Sequence, residues 1–446
     1  MIFLNSRLIR LAAASILGGL LIGFAGGAFR YCLIRSDGLR SDFILWAHRW
    51  PYVGWLLPVA LGAVGAGLAR WLVIKFAPTA EGSGVQRVEA VFSGEVQPAS
   101  FAVVPVKFVG GLAAMGSGLA LGREGPTVQM GASFGVLVSR FLLKDEGDRR
   151  VVEAASAGAG LAVAFNAPIG GSIFVFEELT SNFTPWLLVS TLAAATVAVW
   201  LMRDLLGNTL SFAVPLVSPT EIWGKWPFVV MGVILGVTGA IYNVVIMRLL
   251  GIADRISRIP SLYRAVIIGA AVGLVAWFLP AMVGGGDSLT QAILANRFSV
   301  ISLVVIFLVR FVIGPWSYAA GAPGGLFAPM ILLGAASGAL FAGVVNDFLP
   351  AAHLDPVACG IVGMGGLFTA CVRAPLTGIV LAVEMTGRAD LTLGLLGASL
   401  TAMVVTMALQ SEPIYESLKR RMLSQTTITR QRIDAGTRLA SSREPH

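Results

Sequence analysis

The sequence predicts an all-α, polytopic membrane protein. Of 446 residues, 56% are hydrophobic and 13% are charged, whereas a soluble domain carries about 25% charge. The mean hydropathy is +0.81. Apolar stretches recur at 11–29, 55–74, 186–202, 227–250, 265–283, 299–314, 330–345 and 391–409. A bilayer-spanning helix needs roughly 20 apolar residues. Several stretches fall short of that, and 53 glycines and 21 prolines interrupt them. Non-helical backbone at membrane depth is tolerated only where protein buries it or where it lines a water-filled cavity. The interruptions therefore predict tilted or re-entrant helices around a polar pathway.

The first stretch follows Arg7 and Arg10, as a signal peptide would, but its apolar run is too long for one. It is expected to stay as a helix. Cys32, Cys359 and Cys371 are odd in number and form no CxxC, which suits small buried hydrophobes. His48, His353 and His446 are scattered, so no metal site is readable and no cofactor is implied. Without paired histidine ligands or a reactive cysteine environment, an enzyme is not the expectation.

The formal charge is +8. From Ser411 onward stand Lys419, Arg420, Arg421, Arg430, Arg432, Arg438 and Arg443. The positive-inside tendency places this end in the cytoplasm. Its basic character suits a membrane surface rather than nucleic acid. From Leu423 the tail is polar and is expected to be loosely ordered.

The chain repeats itself. "GREGPTVQMGASFG" (122–135) and "GLFAPMILLGAASG" (325–338) share glycine, proline and alanine positions at a spacing of 203. Lys107 and Arg310, each a lone base in an apolar run, match at the same spacing. "NAPIGGSIFVFEE" (166–178) and "RAPLTGIVLAVEM" (373–385) match at 207, Glu177 with Glu384. The expected domain is therefore 1–422, in two related repeats of about 1–205 and 206–422, followed by a basic tail at 423–446. Such repeats commonly face opposite ways and build a mid-membrane site from broken helix ends.

Three glycine-rich segments read as helix starts: Gly82, Ser83 and Gly84; Gly122 to Gly125; and Gly324 to Ala328. Free N–H groups and the positive end of the helix dipole attract anions there. Taken singly, such a segment is more often a close helix-packing contact. Together they predict a small-anion site from which release is fast, as conduction requires. Glu124 would compete at such a site. Ionised, it blocks; protonated, it withdraws. The alternative is an ion pair with Arg123, although adjacent side chains rarely face each other on a helix.

These motifs resemble the CLC family of chloride channels and chloride/proton antiporters. "GREGP" stands as in the family, "GAPGGLFAP" is similar to its GxFxP signature, and "GSGVQ" to GSGxP. "FNAPIGGSIFVFEE" and "PIYESL" resemble its inner glutamate and pore-tyrosine segments. The resemblance implies a fold of about 18 helical segments with inverted repeats, many tilted or re-entrant. It also implies a homodimer with one pore per subunit, in a bacterial inner membrane and in contact with lipid. Ser83 and Tyr415 would give hydroxyls to the anion, and Leu326 and Phe327 backbone N–H groups. Gly84, Arg123 and Gly125 would line the site. Glu124 would be the external gate and proton acceptor, and Glu178 the inner proton-transfer group, with Glu177 structural. Family channels usually lack an acid at the inner position, so Glu178 favours chloride/proton antiport over a passive channel. Gln86 departs from the family proline, which is expected to change the angle or first turn of that helix and with it the anion selectivity. Ser83, "GREGP" and Tyr415 set the chain apart from the fluoride-exporting branch, and no paired regulatory domains are expected.

Overall fold

The computed structural model describes residues 2–215, 226–256 and 258–425. Among them lie seventeen α-helices and no β-strand. The first eight are α1 (Ile2–Ala47), α2 (Leu56–Phe76), α3 (Val85–Phe92), α4 (Val103–Gly116), α5 (Glu124–Leu142), α6 (Glu146–Phe165), α7 (Pro168–Phe174) and α8 (Pro185–Leu206). The next eight are α9 (Trp226–Arg255), α10 (Ser261–Phe278), α11 (Asp287–Leu294), α12 (Val300–Tyr318), α13 (Phe327–Phe348), α14 (Pro356–Val372), α15 (Pro375–Thr386) and α16 (Thr392–Ala408). A last helix, α17, covers 414–425. It carries the chain past Leu423 in regular structure. Arg430, Arg432, Arg438 and Arg443 lie outside the described residues.

Among the described residues, eight helices are long and apolar enough to cross a membrane. Each contains or overlaps one of the eight apolar stretches of the sequence. The first is longer than its apolar run because its second half is tied to protein. Arg40 is buried there, donating to Asp37 and to the carbonyl of Met115.

The two halves correspond helix for helix, α1 to α8 with α9 to α16. Even the short 3₁₀ turns Pro78–Ala80 and Pro280–Met282 match. Matched glycines do matched work. A Cβ on Gly131 would meet the Ser156 carbonyl at 2.2 Å, and one on Gly334 the Gly363 carbonyl at 2.4 Å. Backbones thus touch where α5 crosses α6 and where α13 crosses α14. In lipid, where hydrophobic burial no longer drives helices together, such small-residue contact is the main adhesive.

The matched glutamates show the two-fold relation most clearly. Glu177 accepts from Leu376 N (3.0 Å), Thr377 N (2.7 Å) and Thr377 Oγ1 (2.8 Å) at the start of α15. Glu384 accepts from Ile169 N (3.1 Å) and Gly170 N (2.6 Å) at the start of α7. Each half caps a helix of the other, and the carboxylates complement the positive helix ends. Replacing Glu177 or Glu384 with alanine strands two N–H groups, which costs about 1–3 kcal/mol. Both variants are expected to lower the unfolding temperature in detergent by similar amounts; an unchanged midpoint would deny the caps a structural role.

Candidate anion site

Backbone hydrogen bonds lace the three glycine segments together. Gly82 N donates to Ala322 O (3.2 Å) and Gly324 N to Gly82 O (3.1 Å). Gly122 and Gly325 exchange bonds of 2.8 and 2.7 Å. The starts of α3, α5 and α13 are thereby fixed side by side. Carbonyl oxygens near an anion would repel it. Lys107, fully buried, draws two of them off, with Nζ 2.6 Å from Gly82 O and 3.0 Å from Ser83 O. This accounts for the lone base in the apolar run of α4.

Glu124 is 1% exposed, and its Oε2 accepts from Ala328 N, in the first turn of α13, at 3.4 Å. A Cβ on Gly122 would lie 2.0 Å from that oxygen, so only glycine leaves the carboxylate its place. Arg123 turns elsewhere. It donates to Ala164 O at 3.0 Å and forms an ion pair with Asp287, at the start of α11. The Arg123–Glu124 ion pair held open by the sequence is not formed; the adjacent side chains have different partners.

The hydroxyls of Ser83 and Tyr415 are buried and lack a hydrogen-bond partner of good geometry, although the two groups approach each other. Buried hydroxyls normally find a partner, so two orphans beside a set of helix starts mark a place for a polar or charged guest. A Cβ on Gly125 would come within 2.2 Å of Ser83 Oγ, which ties that glycine to the same spot. Leu326 is the N-cap of α13 and Phe327 its first residue, with no side-chain cap. The Phe327 ring packs against Phe165, Phe174 and Phe368, with centroids at 4.9, 6.2 and 4.2 Å.

Gly84 is the left-handed N-cap of α3. The helix forms without the motif proline. Gln86 instead donates to Tyr318 Oη at 3.4 Å, and the same oxygen accepts from Ser83 N at 3.3 Å. Tyr318 therefore joins the site, unannounced by the sequence except through the departure at Gln86.

Glu178 sits in a π-helical turn, Val175–Leu179, beside Glu177. It lines a cleft of about 540 Å³ with Glu89, Glu416 and Lys419. Lys419 Nζ lies 2.6 Å from each of Glu89 and Glu416. A separate cleft of about 890 Å³ reaches Gly82, Gln86 and Tyr318, past Arg70, Arg87 and Arg421. Helix α17 stands between them, with Leu418 and Arg421 on one cleft and Glu416 and Lys419 on the other. The segment "GASFG" (131–135) has the G-x-S-x-G spacing of a nucleophile elbow. Ser133 lies inside α5, however, with its hydroxyl donated to Gln129 O at 2.9 Å, and no strand-to-helix turn presents it.

The profile of the voltage-gated chloride channel family matches residues 65–407. The chain belongs to this family. The H(+)/Cl(-) exchange transporter ClcA of Vibrio parahaemolyticus is 35% identical over 428 residues, 93% of this chain and 90% of the relative. That of Cronobacter sakazakii is 35% identical over 426 residues, again covering 93% and 90%. The solved structure of a slow cyanobacterial Cl-/H+ antiporter superposes with a TM-score of 0.89 at 31% identity, covering 94% of this chain and 99% of that one. A CLC-type fluoride/proton antiporter superposes at 0.76, covering 92% and 97%. At 21% identity it shares the fold alone.

Proposed function

We propose that this family member exchanges chloride for protons across a bacterial inner membrane. One observation carries the reading: Glu124, a titratable carboxylate, lies at the first-turn N–H of α13, beside the orphan hydroxyls of Ser83 and Tyr415. A tethered anion there competes with a free one. Protonation removes its charge and frees the place, which ties proton transfer to anion occupancy. Chloride meets Ser83 and Tyr415, with N–H groups of Leu326 and Phe327, and Gly84, Arg123 and Gly125 around them. Glu178, reached through its own cleft, hands protons between the cytoplasm and Glu124 while chloride uses the Arg-lined cleft. That second carboxylate favours antiport over a passive channel.

The domain is 1–422, with a basic cytoplasmic tail from 423. Ser83, Glu124, Phe327 and Tyr415 all come from one chain, which supports one pore per subunit in a homodimer surrounded by lipid. The Tyr415 hydroxyl tests the anion site. A hydrogen bond to a charge contributes about 1–3 kcal/mol, so Tyr415→Ala is expected to weaken chloride binding roughly five- to hundredfold and to loosen coupling. Calorimetric affinity and proton coupling both equal to wild type would remove Tyr415 from the site.

A further inference from the structure

The repeat places a second helix start on the Arg123 side of Glu124. Just as Gly82, Ser83 and Gly84 lead into α3, Gly284, Gly285 and Gly286 lead into α11. Both N-caps are left-handed glycines without a side-chain cap. The matched bases do the matched task. Arg310 Nη1 donates to Met282 O (3.0 Å) and Gly284 O (2.9 Å), as Lys107 does to Gly82 and Ser83.

The two bases then differ. An ammonium has three donors on one atom, whereas a guanidinium is a fork of five N–H groups. With Nη1 holding the carbonyls, Arg310 Nη2 remains buried without a partner, and Arg310 is only 2% exposed. Nη2 lies where a Cβ on Gly286 would meet it at 2.0 Å, directly at the N-cap of α11. Arg40 Nη2 stands 2.6 Å from a Cβ on Gly284, and Arg123 reaches Asp287 in the first turn. Arg30 lies within electrostatic range of Arg123 and Asp287. Arg30, Arg40, Arg123 and Arg310 thus gather with three carboxylates, Asp37, Glu124 and Asp287, around a helix start without a side-chain cap.

We propose that the N-terminus of α11, with Arg310 Nη2, binds a small monovalent anion and forms a staging site on the Arg123 side of the Glu124 gate. Arg310 Nη2 is a buried N–H donor at this helix start, and the local charge excess is positive. Asp287 keeps Arg123 occupied, so the arriving anion is drawn in by the cluster without being held by a full ion pair. That the anion bound there is the transported one rests on the chloride reading above; that an anion binds there at all does not.

Arg310→Lys separates the two jobs of the side chain. Lysine at the matching position already holds two loop carbonyls, so the variant is expected to fold with a wild-type unfolding temperature. It has no group to replace Nη2. In crystals grown in bromide, anomalous density is expected at the α11 N-terminus of the wild type and absent in Arg310→Lys, with the density at Ser83 and Tyr415 unchanged in both. In vesicles, the half-saturating chloride concentration on the Arg123 side is expected to rise about tenfold in Arg310→Lys, with the maximal rate unchanged. Absence of bromide at α11 in the wild type, or equal bromide density there in Arg310→Lys, overturns the site. Bromide lost from α11 with an unchanged half-saturating concentration overturns its place on the transport path. Loss of bromide at Ser83 and Tyr415 in the wild type would instead count against the chloride reading itself.

Discussion

Glu124→Ala is expected to abolish proton transport while chloride still passes. The Glu124 carboxylate accepts from Ala328 N, and in the proposed exchange it is the tethered anion there, so alanine would leave that N–H to a mobile ion. Proton pumping driven by a chloride gradient should fall to the level of protein-free vesicles, and chloride flux should lose its dependence on pH. Glu124→Gln keeps the side-chain shape but carries no charge, and should behave as a permanently protonated gate. The two variants are to be compared at several external pH values. If Glu124→Ala still moves protons uphill, the coupling resides in another group.

Glu178→Gln is expected to stop proton transport with chloride movement retained. Glutamine cannot carry a proton, and the cleft proposed for chloride lies on the other face of α17. Removing the neighbouring carboxylate should act differently. Glu177 holds the start of α15 through three hydrogen bonds, so its loss should appear as lost stability. Normal proton pumping by Glu178→Gln would place the relay on another side chain, with Glu89 and Glu416 in the same cleft the nearest alternatives.

Much of the architecture was legible because membrane helices and repeats leave strong marks. The apolar stretches became spans, and the matched prolines and glutamates became matched helix starts and caps. The correspondence of α3 with α11 was harder to read, since "GSG" and "GGG" share only glycine, and glycine is common in this chain. Arg123 illustrates the limit at the site. The sequence argued against its neighbour Glu124 as partner but pointed to no other, and the actual partner, Asp287, lies 164 residues away. Tyr318 left no mark beyond the departure at Gln86, for the same reason: its hydroxyl meets Ser83 across 235 residues, through the packing of α12 against the α3 loop. Local motifs report which backbone can break and which group can titrate. They do not report what folds against it.

Chloride and proton movements are proposed to be coupled through this one chain. The direct measurement follows both ions at once in vesicles reconstituted with the wild-type protein. An imposed chloride gradient is expected to drive protons against their own gradient, in a fixed ratio to the chloride moved. Chloride flux with no uphill proton movement, under the same gradient, would contradict the account and leave a passive chloride channel.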